Sequence, residues 1–250
     1  MTEITKYFFE KNCDALNQLN HYAPNDAQLL DIPYYMMAQD PFLLTFNSPP
    51  IQNARKGALL FSYLRSINTT LAITIAAYSF IIGNYNKQPS NDYEVIIHSE
   101  ILRLYQSSLR DFIANLKVVV DQMLIVLAKT HIDKYDCIGG FLKQLHKYEK
   151  LQCLEYFFLK LNTAANYLKH HVDQLESFQE IHFIGLKLRV MAAKKEDYKN
   201  LCKYLTITEI IEKTEKEVVY YLDLAALIAE FNKFKALFLE ELAAPKRHHV

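Results

Sequence analysis

The sequence contains no tryptophan, and only 5 glycines and 7 prolines in 250 residues. So few chain-turning residues leave little turn chemistry for a many-stranded β architecture and favour long helices. Excess charge is absent as well. Lys plus Arg and Asp plus Glu both number 28, so the formal net charge is zero. A protein that grips nucleic acid over a broad basic face needs many spare cations for phosphate contacts, so only a local basic patch is compatible with this balance. The four cysteines, Cys13, Cys137, Cys153 and Cys202, form no C-x-x-C pair. Their spacing suits neither a zinc cage nor a disulfide framework, and reduced thiols are expected. The most apolar run, LAITIAAYSFIIG at 71–83, falls short of the ~20 residues of a membrane span and reads as a core helix. The opening residues MTEITKYFFEKNCDALNQL lack the basic start, apolar run and cleavage site of a secretion signal. A soluble, cytoplasmic protein with no membrane partner is the expectation. Phosphate-cradling glycine loops, G-x-S-x-G, H-E-x-x-H and the paired Glu-x-x-His of di-iron bundles are all missing, so no cofactor and no metal are expected.

What is present is apolar and aromatic: 51% of residues are hydrophobic, with 17 Tyr and 15 Phe. The expected fold class is all-α, a multi-helix bundle with long antiparallel helices and one short extended segment near 181–190. A first helix is read over 3–19, a proline-interrupted stretch to 50, and a long helix from about Ile51 to Ile82. GNYNKQPSND at 83–92 is the clearest linker. It suggests an N-terminal helical segment over 1–88 packed on a bundle over 89–250, the two forming one compact unit.

Asn91 and Glu94 offer a capping box, after which Ile101, Leu104, Leu109, Phe112, Leu116, Val119, Met123 and Leu127 recur at helical steps to about Thr130. Ser108 and Asp111 mark a possible restart within that run. Gly139-Gly140 separates it from a short helix at 141–149, and another helix spans 151–176. In FQEIHFIGLKLRVMA, Leu186, Leu188 and Val190 alternate with Lys187 and Arg189 as in a strand. Thr206 and Glu209 form a second capping box, read as opening a final helix to about Leu242.

The candidate site lies in NTAANYLKHHVDQLE at 162–176. Leu154, Phe158, Leu161, Ala165, Leu168, Val172 and Leu175 make an apolar helical stripe. Asn162, Asn166, His170 and Asp173 stack on a second face, flanked by Lys169 and His171. That row can hold a ligand, with Asn166 and His170 as the reactive pair and Asn162, Lys169 and His171 as binding groups. It can equally be the wet side of an ordinary helix. The two histidines diverge by about 100° around the axis and do not share one ion. A second cationic stretch, AAKKEDYKNLCKYL at 192–205, gathers Lys194, Lys195, Lys199 and Lys203. It suits an acidic partner or an RNA backbone, or else a solvated helical face.

The stretch NYLKH at 166–170 resembles the signature of the HEPN superfamily of helical bundles. That signature is an arginine, a polar residue (most often Asn), three variable residues and a histidine. Asn166 and His170 match the polar and histidine positions, and LRDFIANLKVVVDQMLIVLAK at 109–129 resembles the partner helix; the likeness covers roughly residues 91–176. The resemblance implies a homodimer, RNA or nucleotide-phosphate binding, and metal-independent ribonuclease chemistry in bacterial defence or toxin–antitoxin systems. Ala165 stands where the family's catalytic arginine belongs. An arginine grips phosphate oxygens with a planar fork that stays charged, so activity is expected to be weak or lost. The other function class open to this sequence is a non-catalytic protein-interaction bundle: an antitoxin, immunity factor or bacterial effector.

Overall fold

The computed structural model describes residues 92–170, 187–192 and 199–242, together with scattered helical positions between 63 and 81. The helix expected over 3–19, the linker at 83–92 and Asn91 of the first capping box lie outside them, or all but outside.

Helix α1 runs unbroken from Asp92 to His131, 40 residues. Ile101, Tyr105, Leu109, Phe112, Leu116, Val119, Met123 and Leu127 are all buried along one side of it. The restart suggested at Ser108 does not occur. The Ser108 hydroxyl donates to the Tyr105 carbonyl at 3.1 Å and accepts from Thr74 at 2.9 Å, so its polar group is satisfied inside the helix. Asn115 donates to the Ser66 hydroxyl at 2.9 Å. Position 66 meets 115 while 74 meets 108, so the helical stretch at 63–81 lies antiparallel to α1. Polar pairs fix its register, and Ile67, Leu71, Ala77 and Phe80 fill the space around them. Tyr105 sits in this seam, where burial and then the neighbouring Tyr78 push its hydroxyl pKa up to about 12.

The end of α1 carries a strained residue. Ile132 has φ 63°, and the Asp133 amide donates back to the Ala128 carbonyl at 2.9 Å, closing a left-handed helix stop. Glycine normally fills that position, because a Cβ, and a branched one above all, clashes with its own backbone there. The side chain is 76% exposed and recovers little by packing. Ile132→Gly is therefore expected to stabilise the fold by about 1 kcal/mol, read as a higher urea midpoint at constant slope. An unchanged or lower midpoint would show that the Ile132 backbone is not strained.

Helix α2, Ile138–Leu142, contains the two glycines expected to separate helices. Two tertiary contacts explain this. Asp121 of α1 accepts the Ile138 amide at 2.8 Å, serving as the cap that Cys137 does not provide. A Cβ on Gly140 would lie 3.1 Å from Tyr135 Cβ, a tight contact that the glycine avoids where the loop packs against the helix. Two short turns of tighter helix, Leu145–Lys147 and Glu149–Leu154, lead into α3, Glu155–His170. The rest of the helix expected to reach 176 lies outside the described residues.

The all-α expectation fails at the C-terminal third. The described chain is mostly helical but holds a three-stranded antiparallel sheet: β1 (Lys187–Ala192), β2 (Ile210–Lys213) and β3 (Val218–Asp223), in the order β1-β3-β2. Leu188 faces Leu222, Val190 faces Tyr220 and Ala192 faces Val218. The extended segment expected near 181–190 is thus β1, centred slightly later. The final helix does not begin at Thr206. The Thr206–Glu209 side-chain contact forms, but in a turn that feeds β2. Thr214–Glu217 then folds back, with the Glu217 amide donating to the Thr214 hydroxyl at 3.1 Å. VVYYLD follows, rich in the branched and aromatic side chains that suit a pleated surface. Only at Leu224 does α4 start, running to Leu242, with Asp223 accepting the Ala226 amide at 3.1 Å as its cap.

α3 is central: it packs against α1, α2, β1 and α4. Among the described residues no helix is long and apolar enough to cross a membrane.

Candidate functional site

α3 carries the expected site, and its burial pattern differs from a helix with one free face. Leu154, Phe158, Leu161 and Leu168 of the expected stripe are buried, but so are Phe157, Lys160, Thr163 and Ala164, which lie beside it. Neighbours on several sides leave the helix little open surface over 157–164. The polar row survives only toward its C-terminal end. Asn162 and Asn166 are half-buried and Lys169 is exposed. His170 is the last residue of α3, and His171 lies outside the described residues. Ala165 is partly buried and packs against the hydrophobic core. Successive side chains turn by about 100°, so the neighbouring Asn166 faces a different direction. The next cation along this face is Lys169, one turn on.

Sequence reasoning missed the polar network at the other end of α3. Lys160 is 5% exposed; its ammonium lies 2.9 Å from Glu230 Oε2 on α4 and 4.2 Å from the centre of the Tyr156 ring. A buried ammonium needs this company, because removing it from water costs several kcal/mol unless opposite charge and π-density replace the solvent. The Tyr156 hydroxyl donates to Glu209 Oε1 at 3.0 Å. Glu209 Oε2 accepts from the Thr206 amide at 2.8 Å and from its hydroxyl at 2.7 Å. Burial raises the Glu209 pKa, but these donors and the Lys160 charge outweigh it and hold the carboxyl below its ordinary range. Tyr156 shifts the opposite way: burial first, then the charge of Glu209 and the hydrogen bond to it, drive its pKa well above that of a free tyrosine. Tyr156 therefore holds its proton at neutral pH and acts as a strut rather than as an acid or base. Tyr204 completes the group. Its ring stacks on Tyr156, with centres 5.5 Å apart and planes 22° from parallel, and its hydroxyl donates to Glu155 Oε2 at 2.5 Å.

A second network ties the loop after α1 to the turns before α3. The Tyr135 hydroxyl donates to Tyr148 at 2.8 Å, Tyr148 donates to Asp133, and Lys147 reaches Asp133 Oδ1 at 2.7 Å. Burial, then the bonds to Asp133 and Tyr135, raise the Tyr148 pKa far above its ordinary value. His131 lies edge-on to the Tyr148 ring at 5.7 Å, and its Nε2 sits 3.3 Å from the Glu241 carbonyl. These contacts set the angle at which the chain enters α3.

The only signal of the Lys160 network in the sequence is a lysine on an otherwise apolar helix face. Its partners Glu209 and Glu230 are far away in the chain, beyond the reach of helical arithmetic. Cys137, Cys153 and Cys202 are unpaired thiols, as expected. Comparison with protein-family models, with curated proteins and with solved structures finds no match.

Proposed function

We propose that this chain is a HEPN-like helical protein that binds RNA or nucleotide phosphate at the C-terminal end of α3, through Asn166, Lys169 and His170, with ribonuclease activity weak or lost. The observation that carries this reading is Ala165, which packs against the core where the motif arginine would stand, while α3 lies against the long α1. Phosphate binding can survive that exchange, because Lys169 still supplies an exposed charge beside Asn166. In-line attack by a ribose 2′-oxygen is a different matter. It needs a group that holds the phosphate oxygens in a fixed geometry as charge builds on them, and a lysine on a flexible stem is a point donor only. Following the same resemblance, the working unit is a homodimer whose two α3 helices face one another, in a bacterial defence or toxin–antitoxin setting.

The test is binding of a labelled single-stranded RNA across a salt series. Affinity should fall steeply with salt, since phosphate contacts release counterions. His170→Ala and Lys169→Glu should each weaken it several-fold, with no cleavage in the presence of EDTA at high protein concentration. Wild-type affinity in both variants would overturn the site.

A second reading, a non-catalytic protein-interaction bundle, is favoured by one observation: Ile132, Ile207 and Ile211 are large apolar side chains left exposed, Ile207 at 90%. It takes precedence if RNA binding is absent even at low salt and Ile207→Lys abolishes association with a co-purifying protein.

A further inference from the structure

We propose that Tyr204, stacked on Tyr156 and flanked by Lys199 and Lys203, is a platform for one base of a single-stranded RNA. This rests on the RNA-binding reading above and adds a second contact point, at the opposite end of α3. The segment that presents it is a helical turn. The Tyr204 and Leu205 amides both donate to the Leu201 carbonyl, at 2.9 and 3.0 Å, and Leu201 is buried as the anchor. At about 100° per residue, Lys199 and Lys203 both point away from Leu201, toward solvent, and both are exposed. Tyr204 follows at once, 37% exposed.

The ring is held before any ligand arrives. Its hydroxyl is fixed by Glu155, and Tyr156 beneath it is fixed by Glu209 and Lys160. A locked aromatic loses little freedom when a base stacks on it, and every base offers a π-face, so such a site tolerates sequence variation. Glu155 and Glu209 are turned to their own donors, the Tyr204 hydroxyl for one and Tyr156 and Thr206 for the other. Lys199 and Lys203 are the exposed cationic side chains beside the ring that can meet a phosphate backbone. Lys203 donates to the half-buried Asn200 side chain at 3.3 Å, a long contact that a phosphate can displace. Tyr156 and Asn166 are ten residues apart on one helix, about 15 Å along its axis.

The experiment is fluorescence anisotropy with a labelled single-stranded RNA of roughly eight nucleotides at low salt. Tyr204→Ala should weaken binding by roughly 5- to 100-fold, the worth of one stacked base. Tyr204→Phe, which keeps the ring and drops the Glu155 bond, should bind close to wild type. Lys203→Glu should lower affinity and flatten the salt dependence, by about 0.7 in log–log slope for each phosphate no longer neutralised. Should Tyr204→Ala and Lys203→Glu leave affinity unchanged while His170→Ala weakens it, the platform is wrong and the α3 site stands. RNA binding that survives His170→Ala but fails in Tyr204→Ala supports the platform and removes the α3 site. Absence of RNA binding by the wild-type protein overturns both. If Tyr204→Ala unfolds the chain, Lys203→Glu still decides: unchanged affinity and salt slope would overturn the platform.

Discussion

Phe158→Ala should lower the free energy of unfolding by about 3–5 kcal/mol, the largest loss expected from any single truncation on α3. The side chain is fully buried, and its ring centre lies 5.1 Å from Phe141 on α2, 5.2 Å from Phe234 on α4 and 5.3 Å from Phe157. Two of those contacts are edge-on, the arrangement that sets a positive ring edge against a negative face. One side chain thus joins three helices, and truncation leaves a cavity that none of them can close alone. In a chain of this size each kcal/mol shifts the melting temperature by roughly 2–4 °C, so a fall of roughly 10 °C is expected by calorimetry. A fall below about 3 °C would mean that α2, α3 and α4 do not meet at this ring.

Glu230→Ala is the second large effect, expected to cost about 2–3 kcal/mol. The loss arises less from the ion pair itself than from what it leaves behind. Lys160 is left in a buried setting with only the Tyr156 ring to replace the carboxylate. Glu230 is partly open to solvent, which places the expectation below the range for fully buried pairs. The double variant Lys160→Met/Glu230→Leu should recover most of the stability, because removing both partners removes the desolvated charge as well. Denaturant midpoints for the two single variants and the double give the coupling directly. Additive single losses, with no recovery in the double, would show that Lys160 and Glu230 do not form a pair.

How much of this was legible in the sequence differs by element, for physical reasons. α1 could be read because its apolar residues keep step with a helix over many turns. One feature there misled: Ser108 resembles a cap, and only its contact with Thr74, 34 residues away, shows why it sits mid-helix. The C-terminal third misled more deeply. Thr206 and Glu209 have the spacing of a helix start, and Ile210, Val218 and Leu222 fit a helical stripe. Yet Val218 to Tyr221 are four β-favouring residues in a row, preceded by the polar turn Thr214–Glu217. That was the available signal for a hairpin. Gly140 reads as a break until the approach of Tyr135 explains it.

For the candidate site, residue identity was legible and environment was not. Asn162, Asn166 and Lys169 lie along α3 as the helical arithmetic places them. The two asparagines are half-buried on a helix packed against α1, α2, β1 and α4, and the last two belong to later parts of the chain. The Lys160 network was out of reach, because its anchors Glu209 and Glu230 come only with the turn before β2 and with α4.

The strand order β1-β3-β2 also governs the sequence of events as the chain is made. Among the described residues β3 is the last strand to emerge, yet it lies in the middle, and both other strands pair with it and not with each other. During synthesis, which adds about 5–20 residues per second, α1, α2 and α3 can close on one another before Val218 exists. β1 and β2 cannot pair until then. The Tyr204 turn lies in the chain between those two waiting strands. Its contacts with Tyr156 and Glu155 therefore close a loop whose flanking strands stay unpaired until β3 arrives.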